Sequence, residues 1–251
     1  MIGVSSTEFS AYLFEEVIAE VSKVFDHWEI FAEAEHRLPS IEARFRDLMP
    51  SYKLSYSIHA PISDINIGSL NERIREDSIL EILTTAETAA NLNIDLVTIH
   101  PGLTSMAVPY MEEKAVEKAK RSLSAIDRIS SEYGVRIAVE NMPAFPFMLG
   151  RTAEELNELI GTTNLGFCLD IGHANTTDQI DELIKAFGDR LINVHIHDNN
   201  GEHDEHLTLG EGSIDFKKVL DQLKVYSGNY VIESKSYPSA VESQDYLRSL
   251  L

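Results

Sequence analysis

The chain has 251 residues, with 21 Lys and Arg against 41 Asp and Glu, a formal net charge of −20. A hydrophobic share of 43% supports a sizeable core, and this length suits two small domains or one α/β barrel. One cysteine excludes a disulfide scaffold and a cysteine-based zinc site, no apolar run reaches the ~20 residues of a membrane span, and the acidity argues against broad attraction to nucleic acid. The start, MIGVSSTEFSAYLFEEV, lacks the basic opening of a signal peptide, so a cytoplasmic location is expected.

In chain order, short apolar runs predict strands at Ile2–Ser5, Trp28–Phe31, Leu54–Ile58, Ile94–Ile99, Val135–Val139, Leu165–Leu169, Leu191–Ile196 and Tyr230–Ile232. Most are rich in Ile, Val and Leu without clean alternation, as parallel strands covered on both faces should be. Helical spacing fills the intervals. Phe14, Val17, Ile18 and Val21 follow it, as do Ile180, Leu183, Ile184 and Phe187, and Phe216, Val219, Leu220 and Leu223. The stretches Asn71–Leu92 and Glu112–Tyr133 repeat it more loosely, Thr152 with Glu155 forms a capping box, and Gly134 marks a helix stop. No linker or composition shift divides the chain. Eight strand–helix units therefore predict one α/β domain over residues 1–251, a closed (β/α)8 TIM barrel. A doubly wound open sheet fits five or six units better than eight.

In such barrels the active site forms at the C-terminal strand ends. Here those ends collect imidazoles and carboxylates. Strand three ends at His59, four at His100 and five at Glu140; six is followed by Asp170 and His173. Strand seven carries His195 and His197 with Asp198, the next loop holds Asp204 and His206, and strand eight ends at Glu233. Each alone reads as a hydrogen-bonded structural residue. Six consecutive strand ends converging on one rim have no packing rationale, because unpartnered buried carboxylates and imidazoles are costly and bound cations supply the partner. An all-nitrogen-and-oxygen ligand set suits Zn²⁺, Mn²⁺ or Fe²⁺ better than Ca²⁺. His197 and Asp198 aside, nine such residues exceed one coordination sphere. They suit two or three ions, with a carboxylate such as Glu140 as a bridge, an arrangement used to attack phosphoesters.

These strand ends resemble the endonuclease IV group (AP endonuclease family 2), within the xylose isomerase-like TIM-barrel superfamily. The motifs are SIHAP, IHPG, VEN, CLDIGH, VHIHDN, DEH followed by LGEG, and VIES, and the likeness covers nearly the whole chain. The resemblance implies a trinuclear zinc site with nine ligands, each matched here. His59, His100 and Glu140 would hold the first ion. Glu140 again, Asp170, His195 and Glu233 would hold the second. His173, Asp204 and His206 would hold the third. The D-x-H before L-G-E-G is the most discriminating piece, since mononuclear relatives share part of the rest.

The departures bear on substrate. Repair members of that group carry an aromatic and a Leu in the loop after the first His, where this chain has Ala60-Pro61-Ile62-Ser63. Segments 60–71, 101–111, 171–178 and 198–214 contain no Lys or Arg for phosphate contacts, leaving Arg37, Arg151 and Lys235 as the main exceptions. Three dications would still leave the chain acidic. Duplex DNA is therefore disfavoured as a substrate, and the apolar loop Pro143–Met148, with Tyr110 and Tyr237, reads as the wall of a small-molecule pocket or as ordinary loop packing.

The first functional expectation is a zinc-dependent phosphoester hydrolase acting on a small phosphorylated substrate. The second is a sugar or sugar-phosphate isomerase or epimerase. In that case Glu140, Asp170, His195 and Glu233 would hold one Mn, Mg or Co ion. Glu140 and Glu233 would act as catalytic acid and base, and His173 would hydrogen-bond the substrate. A barrel without catalysis is disfavoured by the intact ligand set. Among the remaining residues, His27 reads as structural. His36 and Arg37 read as parts of a solvated loop, and His203 as exposed. Cys168 reads as core, His197 as lining the site without being a ligand, and Asp198 as orienting a ligand histidine.

Overall fold

The computed structural model describes residues 1–251. Eight parallel strands form a closed barrel: β1 (Ile2–Ser5), β2 (His27–Phe31), β3 (Ser55–His59), β4 (Leu96–Ile99), β5 (Arg136–Glu140), β6 (Gly166–Asp170), β7 (Leu191–Ile196) and β8 (Tyr230–Glu233). Each strand pairs with the next in chain order, and β8 closes on β1 with Ile2 opposite Tyr230 and Ser5 opposite Glu233. The observed strands match the predicted ones to within two residues at either end. Four of them terminate on a predicted site residue: His59, Glu140, Asp170 and Glu233.

The helices follow the predicted spacing where it was read: α1 (Phe14–Val21), α3 (Glu72–Asn91), α4 (Glu112–Tyr133), α5 (Ala153–Ile160), α7 (Ile180–Phe187) and α8 (Phe216–Gln222). Their ends are fixed by local chemistry. The Asn71 side chain accepts the Arg73 N–H to start α3, and the Thr152 hydroxyl accepts the Glu155 N–H to start α5. Gly134 ends α4 with φ 73°, a left-handed turn that costs glycine nothing. Three helices escape the periodic reading: α2 (Leu38–Leu48), the six-residue α6 (Ile171–Thr176) and α9 (Tyr237–Leu250).

Helix stripes pack against the outer barrel face, where Phe14, Trp28 and Phe45 are fully buried. His36 belongs to this cluster. Its ring lies edge-on to Phe14 at 5.3 Å and to Trp28 at 5.6 Å between centroids, with no exposed surface. The solvated-loop reading of His36 is thus corrected: the 3₁₀ turn Ala34–His36 folds the ring under α1. Inside the barrel the layer below the rim is polar. Glu29, Ser57, Thr98 and Asn193, all without exposed surface, are joined by hydrogen bonds. His27 is structural as expected, bonded to the Ser55 and Ser57 hydroxyls at 2.9 and 3.0 Å, and burial pushes its pKa down to about 4.

Candidate metal centre

Parallel strands of similar length deliver their last residues to one rim, so His59, Glu140, Asp170 and Glu233 converge by topology alone. His100 follows β4 directly, and His195 points inward from β7. Asp170 also caps α6, its Oδ1 accepting the His173 N–H at 2.6 Å, which turns His173 back over the barrel mouth. Asp204 and His206 arrive on the loop after β7. Asp198 pins that loop: its Oδ2 accepts the N–H groups of Gly210 and Gly212, both at 2.9 Å. Its Oδ1 accepts those of Asn199 and Ile214 at 2.9 and 3.3 Å. The expectation that Asp198 orients a ligand histidine is therefore corrected; its acceptor capacity is spent on backbone. His206 is held in the left-handed region, φ 47°, an uncommon conformation for a side chain of its size.

The distances within the cluster are distinctive. A charge-assisted N–H···O bond closes to about 2.7–2.9 Å, whereas two donor atoms on one tetrahedral zinc sit roughly 3.3 Å apart. Glu140 Oε2 lies 3.2 Å from His59 Nε2 and 3.3 Å from His100 Nε2. Its other oxygen, Oε1, lies 3.4 Å from His195 Nδ1, which in turn is 3.1 Å from Glu233 Oε1 and 4.0 Å from Asp170 Oδ2. Asp204 Oδ2 is 3.4 Å from both His173 Nε2 and His206 Nε2. Thus all nine sequence-nominated residues come together in overlapping donor groups: His59, Glu140, His195 and Glu233 form one, with His100 beside Glu140; Glu140, Asp170 and His173 form a second; and His173, Asp204 and His206 a third.

The outward ring nitrogens are committed elsewhere. His59 Nδ1 pairs with the Ala60 carbonyl at 2.8 Å, His173 Nδ1 with the Asn141 carbonyl at 3.0 Å, and His195 Nε2 with Glu29 at 2.6 Å. For His59 and His195 the pairing places a proton away from the cluster and leaves the facing nitrogen free as a ligand, while His173 Nδ1 also lies 3.2 Å from Glu140 Oε1 and its Nε2 faces Asp204. Asp170 Oδ2 and His195 Nδ1 are buried and lack a hydrogen-bond partner in the protein. This donor set fits a divalent ion of the zinc, manganese or iron type.

The electrostatics agree. Burial opposes a charge on His173, but Asp170, Asp204 and Glu140 outweigh it and raise its pKa well above the usual value. His195 is raised likewise against burial, by Cys168, Glu29, Glu233 and Glu140. Burial would raise Glu29, yet the adjoining His195 brings it down to about 2. Burial likewise disfavours charge on Asp204, while His173 and His206 hold its carboxyl well below the ordinary range.

A cavity of about 220 Å³ opens above the cluster, lined on one side by Ser5, Ser6, Thr7, Ser234 and Lys235, on the other by Met142, Pro143 and Met148. The apolar loop thus contributes Pro143 and Met148. Phe145 and Phe147 stack on each other instead, 5.6 Å apart and nearly parallel. Tyr110 is 95% exposed and Tyr237 packs on Phe9 and Phe25, so neither walls the cavity; that expectation is corrected. Arg37 is paired with Glu81, and Arg151 with Glu112 and Glu155, leaving Lys235 as the cation of the cavity wall.

Two contributors went unread in the sequence. Glu29 accepts from His195, Ser57 and Asn193 at 2.6, 2.6 and 2.8 Å. The signal was a lone acid in the apolar run HWEIF, which burial obliges to have partners. The other is unread only in part: His197, read as lining the site without being a ligand, is fully buried and faces both Asp170 and Asp204.

The profile of the xylose isomerase-like TIM barrel (AP_endonuc_2) family matches residues 18–250, and the chain belongs to that family. It is 38% identical over 262 residues to the uncharacterized protein MJ1311 of Methanocaldococcus jannaschii, covering 99% of this chain and 88% of that protein. It is 28% identical over 200 residues to a probable endonuclease 4 of Mycobacterium leprae, covering 75% and 76% of the two chains. Among solved structures, a D-tagatose 3-epimerase-like protein superposes with a TM-score of 0.92 at 35% identity, covering 100% of this chain and 97% of the other. The expected fold and superfamily are thus shown, and no helix is long and apolar enough to cross a membrane.

Proposed function

We propose that this member of the xylose isomerase-like TIM-barrel family is a multinuclear, zinc-dependent phosphoester hydrolase acting on a small phosphorylated substrate. The observation that carries the reading is a further donor group, His173, Asp204 and His206, whose Asp204 and His206 a single ion held by Glu140, Asp170, His195 and Glu233 leaves without a role. His59 and His100 on Glu140 Oε2 make a third. The similarity to an endonuclease 4 supports the same arrangement. Bound in these groups, the ions would supply an activated water and positive charge against the phosphate oxygens.

The chain's own residues set the substrate. Lys235 and the hydroxyls of Ser5, Ser6, Thr7 and Ser234 offer an anion-binding wall, while Met142, Pro143 and Met148 give an apolar one. The cavity is smaller than the roughly 300–1,000 Å³ of drug-sized sites, and the cation-free rim loops offer a duplex backbone little.

A second reading is favoured by one observation, the superposition on a D-tagatose 3-epimerase-like protein. Under it, Glu140, Asp170, His195 and Glu233 hold one Mn, Mg or Co ion. Glu140 and Glu233, 3.4 and 3.1 Å from His195 Nδ1, exchange a proton with a ketose carbon that His173 helps to hold. Metal content per chain, on protein purified without chelator, separates the two. Two or three zinc ions, each group lost separately in His59→Ala and His206→Ala, with turnover in a phosphoester panel that includes abasic duplex as the expected failure, support the hydrolase. One ion unaffected by either substitution, with turnover of ketoses, supports the epimerase.

A further inference from the structure

His197 stands against the two carboxylates that belong to different donor groups. Its Nε2 lies 3.2 Å from Asp170 Oδ1 and 3.5 Å from Asp204 Oδ1. These are the outer oxygens: Asp204 Oδ2 is the one facing His173 and His206, and Asp170 Oδ2 the one facing His195. Neither contact has the alignment of a single two-centre bond, and both ring nitrogens otherwise lack partners although the ring is fully buried. Such a group is expensive unless its N–H is shared between the acceptors it faces.

The ring's own stacking excludes an ion shared by His197 and His206. His197 lies on His206 with centroids 3.8 Å apart and planes 14° from parallel. A metal must sit near the plane of an imidazole that ligates it, and no point lies near two nearly parallel planes so separated. The place is built for the ring: a Cβ on Gly172 would stand 2.0 Å from His197 Cε1, so glycine at the second position of α6 is what admits it.

We infer that His197 is a positioning residue that ties two ion-binding groups together, its single Nε2–H shared between the outer oxygens of Asp170 and Asp204 while its face supports the His206 ring. The inference rests on the multinuclear reading above. It makes the third donor group dependent on a side chain that ligates nothing, and places Asp204, which comes from a long loop, in register with Asp170, which comes from a strand.

The test is zinc affinity and stoichiometry of the full chain, by competition with a chromophoric chelator and by mass spectrometry after dialysis. His197→Phe keeps a ring to stack on His206 and removes the donor. His197→Gln removes the ring and returns an amide N–H near the Nε2 position. The Phe variant is expected to weaken the ion lost in His206→Ala by about 10–100-fold, and the Gln variant to stay within roughly threefold of the parent. Parental affinity in His197→Phe, or equal losses in both variants, overturns the shared hydrogen bond while leaving the multinuclear reading intact. A parent chain that holds one ion, insensitive to His206→Ala, overturns both. Thermal unfolding of the metal-free variants shows whether each is folded. Should the Phe variant fail to fold, Gly172→Ala, which displaces the unaltered ring, must weaken that same ion, and parental affinity there overturns the inference.

Discussion

Replacing Glu29 by Gln tests the centre from beneath. The carboxylate is fully buried and receives three hydrogen bonds, of which the His195 Nε2 bond at 2.6 Å is charge-assisted. It fixes the tautomer that turns Nδ1 toward Glu140, Glu233 and Asp170, and it raises the basicity of that nitrogen. The amide has the same shape but no charge, and with its oxygen kept toward His195 its NH₂ takes the Oε2 position, where it faces both incoming donors, Ser57 Oγ and Asn193 Nδ2. Loss of such an outer partner costs about 10–100-fold in metal affinity, or roughly 1.4–2.7 kcal/mol. Ser57→Ala, which removes a single bond to Glu29, should cost about 1 kcal/mol or less. Chelator competition on the two variants and the parent gives the numbers. Zinc affinity within twofold of the parent in Glu29→Gln would refute the assignment of His195 Nδ1 as a ligand held by Glu29.

Three further outcomes follow from the same geometry. Gly172→Ala places a methyl 2.0 Å from His197 Cε1 and should cost about 1–3 kcal/mol of thermal stability in the metal-free protein, against the gain a helical alanine normally brings; a rise in Tm would show the contact to be soft. His27 has its folded pKa lowered from 6.5 to about 4, so the folded state refuses a proton that the unfolded chain accepts. Stability is fully retained above pH 6.5 and lost as pH falls from 6.5 towards 4, by up to about 3 kcal/mol from this residue, and denaturant titrations of the parent and His27→Gln should diverge in that window and no other. The carboxylates around His173 and His195 favour their protonated forms in the metal-free chain, so zinc binding should release protons. Calorimetry in buffers of different ionisation enthalpy measures the release, and heats independent of buffer would contradict it.

The fold was legible because parallel strands covered on both faces leave apolar blocks, and the eight blocks correspond to the eight observed strands. The helices that escaped notice had reasons to. α6 is six residues long and its cap, Asp170, also serves the site; α9 begins after Ser236 with Pro238 in its first turn and carries a polar, weakly periodic sequence. His36 was misread because a histidine among charged neighbours, Glu33, Glu35 and Arg37, looks solvated, whereas a one-turn 3₁₀ segment rotates that single ring into the Phe14–Trp28 cluster. The sequence leaves Tyr110 and Tyr237 open between a pocket wall and ordinary loop packing. Their backbone directions, φ 62° at Tyr110 and the packing of α9 on α1's flank at Tyr237, decide against the wall.

The site divides along the same line. Residues at strand ends were readable because topology alone brings them together, whatever the side chains do. The residues that make the cluster chemically definite act through rotamers and hydrogen bonds one layer down, and no spacing rule reports those. Yet these inner partners discriminate most. His59 and His173 each commit Nδ1 to a backbone carbonyl, so the nitrogen facing a carboxylate at 3.2–3.4 Å is either a bare lone pair or part of an imidazolium. A bare lone pair against a carboxylate oxygen is repulsive, and an imidazolium would draw in to about 2.8 Å. The separation held by the fold matches the spacing of two atoms that share a cation. The same spacing recurs around Glu140 Oε2, around His195 Nδ1 and around Asp204 Oδ2, so the argument applies to each of them, and the metal stoichiometry of the chain decides how many ions they share.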